Sequence, residues 1–137
     1  MTAKEYLMQV KYKHNDIVEQ EEYIERLRGS LDIQGIRYDR DKIQSSPEPD
    51  RISKMFAIIF EEEAKLEKMK YEFVQFKIKV IQQIHQLDYS VYKHILNYVY
   101  IDLMNLKQCS LKIGFSYDYT RELHRKALDA FREKFPQ

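Results

Sequence analysis

The stretch LKQCSLKIGFSYDYTRELHRKALDAF, residues 106–131, decides how the chain is read. Leu106, Cys109 and Ile113 recur at helical spacing, Ser110 is small, and Gly114-Phe115-Ser116 precedes a new helical pattern through Leu123 and Leu128. Each position has a steric reason if two short helices cross around a tight turn. Ser110 lets the second helix approach, and Gly114 supplies the positive φ that ends the first. Phe115 is expected to plug the angle between the helices, and Ser116 to cap the second. Thr120, Leu123, Ala127, Leu128 and Phe131 then form its inward face. A plain αα-hairpin is the alternative, and it places no demand on this order of small, glycine, apolar and cap residues.

The outward positions of the second helix are Tyr117, Asp118, Arg121, Glu122 and Arg125, with Lys126 toward a flank. Side chains of this kind can address a nucleic-acid duplex. Arg121 matches guanine N7 and O6, whereas Arg125 and Lys126 suit phosphate. Tyr117 and Tyr119 can donate to phosphate or touch a thymine methyl, and Ser116 sits where the helix begins. Lys107 and Gln108, at the front of the preceding helix, can meet the DNA backbone as that helix crosses it. Charge alone does not demand this partner. Arg121, Arg125, Lys126, Arg132 and Lys134 are nearly balanced by Asp118, Glu122, Asp129 and Glu133, and the whole chain carries a formal net charge of +1.

Upstream, Asp88 is expected to cap a helix carrying Val91, Ile95, Leu96 and Val99, with a break around Asp102 to Asn105. Before it lies a long apolar seam through Ile52, Met55, Ile59, Leu66, Met69, Phe73, Phe76, Val80, Ile84 and Leu87, with Asp50 as its expected cap. At the standard rise that helix spans roughly 55 Å. The chain opens on Thr2 and Glu5, spaced as a capping box. A seam through Leu7, Val10, His14, Ile17, Glu21, Ile24, Arg28 and Leu31 follows and is expected to end near Gly29. Residues 29–49 hold Gly29, Gly35, Pro47 and Pro49 and read as a loop. The expected organisation is an all-α chain. Residues 1–87 form a long antiparallel helical hairpin with a loop at about 29–49, for dimerisation or partner contact, and 88–137 form a helix-turn-helix. Phe56, Phe60 and Tyr71 widen the apolar stripe beyond a two-helix seam, which points to a homodimer.

Composition agrees with this class. Three glycines and three prolines in 137 residues, against 44% hydrophobic and 33% charged, favour helices. One cysteine cannot form an internal disulfide. With no secretory h-region and no apolar run near 18 residues, the expectation is a soluble, cytoplasmic protein without a membrane partner. His14, His85, His94 and His124 lack metal-ligand spacing, so no metal or cofactor is expected. Cys109 with His124 is rejected as a catalytic pair because Cys109 falls at a buried position, and no enzymatic role is expected. Glu61, Glu62 and Glu63 read as a solvated face, and the tyrosines around 89–100 as packing.

The opening TAKEYL, the loop DKIQSSPEPD and the closing GFSYDYTRELHRKAL resemble a family of small phage and mobile-element proteins of Gram-positive bacteria with a sigma-factor region-4-like helix-turn-helix. The last segment is similar to the recognition helix of ArpU-like phage regulators, with Ala127-Leu128 as the closing pair. The resemblance implies a DNA-binding transcriptional regulator acting near RNA polymerase, with DNA contacts at Tyr117, Asp118, Arg121, Glu122 and Arg125. The alternative function is a protein-interaction module acting through the hairpin, a reading that Asp118 and Glu122 on the presumed groove face support.

Overall fold

The structure is a computed structural model describing the backbone of residues 1–41 and 49–136 and the side chains of 1–31 and 50–136. It is all-helical, with no strand among the described residues. The order is α1 (Ala3–Asp41), α2 (Pro49–His85), α3 (Ser90–Leu96), a π-helical turn (Asn97–Ile101), α4 (Leu106–Ile113) and α5 (Tyr117–Lys134).

Helix α1 starts as its sequence dictates. The Thr2 amide donates to the Glu5 carboxylate at 3.0 Å, and the Glu5 amide donates to the Thr2 hydroxyl at 3.1 Å. It does not stop at Gly29 but continues to Asp41. A glycine inside a helix costs only about 1 kcal/mol, and no residue before Pro47 lacks a backbone N–H, so nothing local forces an end. The expected loop is thus helical over 29–41, and its 42–48 part lies outside the described residues. Helix α2 begins with Pro49, whose missing N–H is harmless in a first turn, rather than after a capping Asp50.

The chain divides into two compact units: a core unit of Met1–His14 with Glu72–Gln137, and a hairpin unit of Asn15–Tyr71. This differs from a boundary at 87/88. The reason is shared burial: Leu7 and Val10 of α1 and Val80, Ile84 and Leu87 around the end of α2 form one buried cluster with Leu96, Tyr100, Ala127 and Phe131. These ends have no independent core. In the core unit the Tyr6 hydroxyl donates to Gln83 at 2.8 Å, and its ring packs edge-on against Phe76 at 5.6 Å.

In the hairpin unit the pairing is also antiparallel, with Gln20 Nε2 donating to the Glu62 carbonyl at 3.1 Å and to its carboxylate at 2.6 Å. Ile17, Ile24 and Ile59 are buried beside this bond, and Arg28 pairs with Glu63. The inward register of α1 therefore differs in part from the seam read off the sequence. Val10, Ile17 and Ile24 hold, but Gln20 and the half-buried Leu27 take the places expected for Glu21 and Arg28, which are exposed. An uncharged amide satisfied by Glu62 is cheaper to bury than a carboxylate. On α2 every residue of the expected seam is buried or half-buried.

Tyr89 caps α3 without a side-chain bond, while Asp88 is fully exposed and pairs with Lys134 at 3.6 Å, so the expected Asp88 cap is not made. The π-helical turn adds one residue per turn: the Asp102 amide donates to the Asn97 carbonyl, five residues back, at 2.9 Å. It brings Tyr100 into the core and runs into the expected break. There Leu103 adopts φ 58 and the Met104 amide closes on the Tyr98 carbonyl at 2.9 Å.

Candidate nucleic-acid interface

Helices α4 and α5 are set by local chemistry at each end. Asn105 and Gln108 form a reciprocal capping box at the start of α4, with bonds of 2.8 and 3.0 Å. Gly114 ends α4 in the left-handed region at φ 81, its amide donating to the Ser110 carbonyl at 3.0 Å. Ser116 caps α5 by accepting from the Tyr119 amide at 3.2 Å. Cys109 and Ser110 are buried at the crossing. Thr120, Leu123, Ala127 and Phe131 are the buried face of α5, as their spacing required.

Phe115 departs from expectation. It does not plug the crossing but is 40% exposed and sits edge-on to Tyr119 at 5.3 Å. The space between the helices is filled from α3 instead, by Ile95 packed with Cys109 and Leu123. Phe115, Tyr117, Tyr119 and the exposed Leu111 thus form part of the outer surface around the turn. Exposed Lys112, two residues before Gly114, belongs to the same stretch. Its position carries no signal in the sequence, because a basic residue in the last turn of a helix is favoured by the helix dipole whatever the helix does.

All ten candidate residues, Lys107, Gln108, Ser116, Tyr117, Asp118, Tyr119, Arg121, Glu122, Arg125 and Lys126, are exposed. They are not equivalent. Gln108 and Ser116 spend their side chains on capping. Lys126 pairs with Glu122 at 3.6 Å, muting an acidic charge on the outward face. The Arg121 guanidinium lies 5.8 Å from the Tyr117 ring centre, a stacking contact that leaves its hydrogen-bond fork unspent. Among the described residues, neither Arg121 nor Arg125 is paired with a carboxylate. Lys107 and Gln108 stand apart from this group, on the first turn of α4.

His124 is not on this surface. Its Nε2 is 2.8 Å from the Tyr100 hydroxyl, and the rings stack at 5.7 Å. Burial, with a smaller contribution from the Lys4 charge, pushes its pKa down to about 4, while burial drives the Tyr100 phenol upward. A neutral imidazole leaves Nε2 able to accept the hydrogen bond of the Tyr100 O–H, so His124 anchors α5 to the π-helical turn. Burial also raises the Cys109 thiol pKa, which keeps it in the unreactive thiol form. Among the described residues no group of three His, Cys, Asp or Glu side chains is placed to hold a metal. No helix among them is long and apolar enough to cross a membrane. Compared with family models, curated proteins and solved structures, the chain matches none of them, so the reading of this surface rests on its own geometry.

Proposed function

We propose that the chain is a non-enzymatic, DNA-binding transcriptional regulator of phage or mobile-element genes, working in the cytoplasm of a bacterial host. Its recognition helix is α5, from about residue 117 to 131, entering the major groove of double-stranded DNA. The observation that carries this reading is the pair of unspent guanidiniums, Arg121 and Arg125, one turn apart on the exposed face of a helix anchored at both Gly114 and His124. Arg121 reads guanine through its two-pronged fork, and Arg125, Lys126 and Lys107 neutralise phosphates. Glu122 can accept from cytosine N4 once Lys126 turns to the backbone.

Near-neutral charge makes the affinity of a single module low and salt-sensitive, so a homodimer that presents two modules raises occupancy by effective concentration. RNA polymerase is the second partner implied by the resemblance to sigma-factor region 4. The test is a salt titration of binding to the element's own promoter fragments. Arg121→Ala is expected to relax sequence preference, with a loss of about 1–3 kcal/mol on the preferred site, and Arg125→Ala to weaken all sequences alike. If neither change alters DNA retention, the proposal fails.

A second reading is a protein-interaction module that has lost useful DNA affinity. Asp118 and Glu122, exposed on the same face as Arg121, favour it. It is the outcome in which binding shows neither salt dependence nor sequence preference.

A further inference from the structure

On one side of the hairpin unit, α1 and α2 leave an open groove of about 810 Å³ between them, and every residue lining it belongs to Asn15–Tyr71. Its floor is apolar. Ile24 is buried and Leu66 half-buried, whereas Val18 stays 39% exposed. On α1 the lining residues Val18, Glu21, Glu25 and Arg28 are spaced by three and four, so they form one row about 15 Å long, nearly three helical turns. An apolar floor along such a row, between two packed helices, is the place a third helix fills.

Charge says which helix. Glu21, Glu22 and Glu25 stand on the α1 side and Glu63 and Glu67 on the α2 side, against only Arg26 and Arg28, in a chain whose formal net charge is +1. Arg28 is spent on Glu63, and Glu67 has Lys70 at 3.9 Å. Among the described residues Glu21, Glu22 and Glu25, all exposed, have no ion pair, and Arg26 is the one lining cation left unpaired. Other occupants meet these charges badly. An acidic helix or a nucleic-acid duplex is repelled, and the same face of a second copy brings an equal excess of carboxylate across any two-fold axis. A wholly apolar helix would strip water from the carboxylates without giving them a partner. A helix with an apolar stripe flanked by lysine or arginine meets both demands. Its stripe covers Val18, Ile24 and Leu66, and its long basic side chains lay their stems along the rim while their heads reach the carboxylates.

We propose that the groove between α1 and α2 docks a basic amphipathic helix of another protein. The proposal holds whether or not α5 binds DNA. Its test contains no DNA, so its failure leaves the Arg121 titration standing.

The probe is a labelled synthetic helix of leucine and lysine, about four turns long, with its leucines on one face, and fluorescence anisotropy follows its binding to the full chain. It is expected to bind, and to bind less well as salt rises. A peptide of the same composition in scrambled order, and one with glutamate in place of lysine, should not bind. Glu21→Lys with Glu25→Lys should weaken binding about tenfold, and Val18→Gln about fivefold through the floor. All three side chains are exposed, so helical circular dichroism should be retained. Glu19→Lys with Glu61→Lys makes the same change in net charge at exposed positions outside the groove and should leave affinity within about twofold. No binding, equal binding of the scrambled peptide, or equal loss in the two charge-reversed variants would each overturn the proposal. So would self-association of the chain that the Glu21 and Glu25 reversal abolishes, since the occupant would then be a second copy.

Discussion

The core unit and the hairpin unit are built from the same two long helices and are held in different ways. In the core unit, residues from α1, α2, α3, the π-helical turn and α5 converge on one cluster, and Leu7, Ile84, Leu96 and Phe131 lose all contact with water. Among the described residues of the hairpin unit, those buried are Ile17, Gln20, Ile24 and Ile59. An open groove of about 810 Å³, lined by Ile24, Glu25, Arg28, Glu63 and Leu66 among others, runs beside them. Two helices can bury a seam but not a centre. The difference teaches that the stability of the chain sits where it carries the proposed reading head, while the hairpin unit offers surface.

The sharpest way to break this comparison is the same kind of truncation in both units. Leu7→Ala should destabilise by about 4 kcal/mol, because its neighbours from several helices cannot collapse into the space; Ile24→Ala should cost about 2 kcal/mol, since its site already borders an open groove. Urea unfolding of the two variants reads both values. Equal losses would mean that the hairpin unit has a core as tight as the other.

Acid should act on the core unit next. His124, with a pKa held near 4 in the fold against an ordinary 6.5, binds a proton more readily in the unfolded chain. Its contribution is full above about pH 6.5, is lost as pH falls toward 4, and levels off below, on the order of 3 kcal/mol in total. His124→Gln, which keeps an acceptor for Tyr100 but does not titrate, should flatten that part of the wild-type stability profile. A variant whose profile runs parallel to wild type would show that His124 is not the sensitive group.

The smallest effects compare two glycines. Gly114 holds φ 81, so Gly114→Ala should destabilise by about 1–2 kcal/mol despite open space around it. Gly29 lies inside α1 with nothing near its would-be Cβ, so Gly29→Ala should stabilise by about 0.5–1 kcal/mol. The two thermal melts should shift in opposite directions. A common sign would contradict the assigned backbone at one of the two positions.

Much of the candidate interface was legible because its determinants are local. The Thr2–Glu5 box, the inward seam of α2, the break at Asp102 to Asn105, the left-handed Gly114, the Ser116 cap and the exposure of all ten candidate residues follow from spacing and from the conformations each residue type allows. Features that need a neighbour from elsewhere in the chain were read wrongly or not at all. Phe115 was expected inside because it is apolar, yet Ile95 of α3 already occupies that space. Asp88 was expected to cap α3, yet it pairs with Lys134 from α5.

Sequence by itself determined where most helices begin, the turn between α4 and α5, and which face of α5 is polar, since each depends on residues within one or two helical turns. Tertiary structure decided that the start of α1 and the end of α2 join the C-terminal helices in one core, that Gln20 rather than Glu21 faces inward, and that His124 is locked to Tyr100. Those outcomes depend on which group from a distant segment fills a space or satisfies a buried polar atom first, and helical periodicity carries no record of that competition.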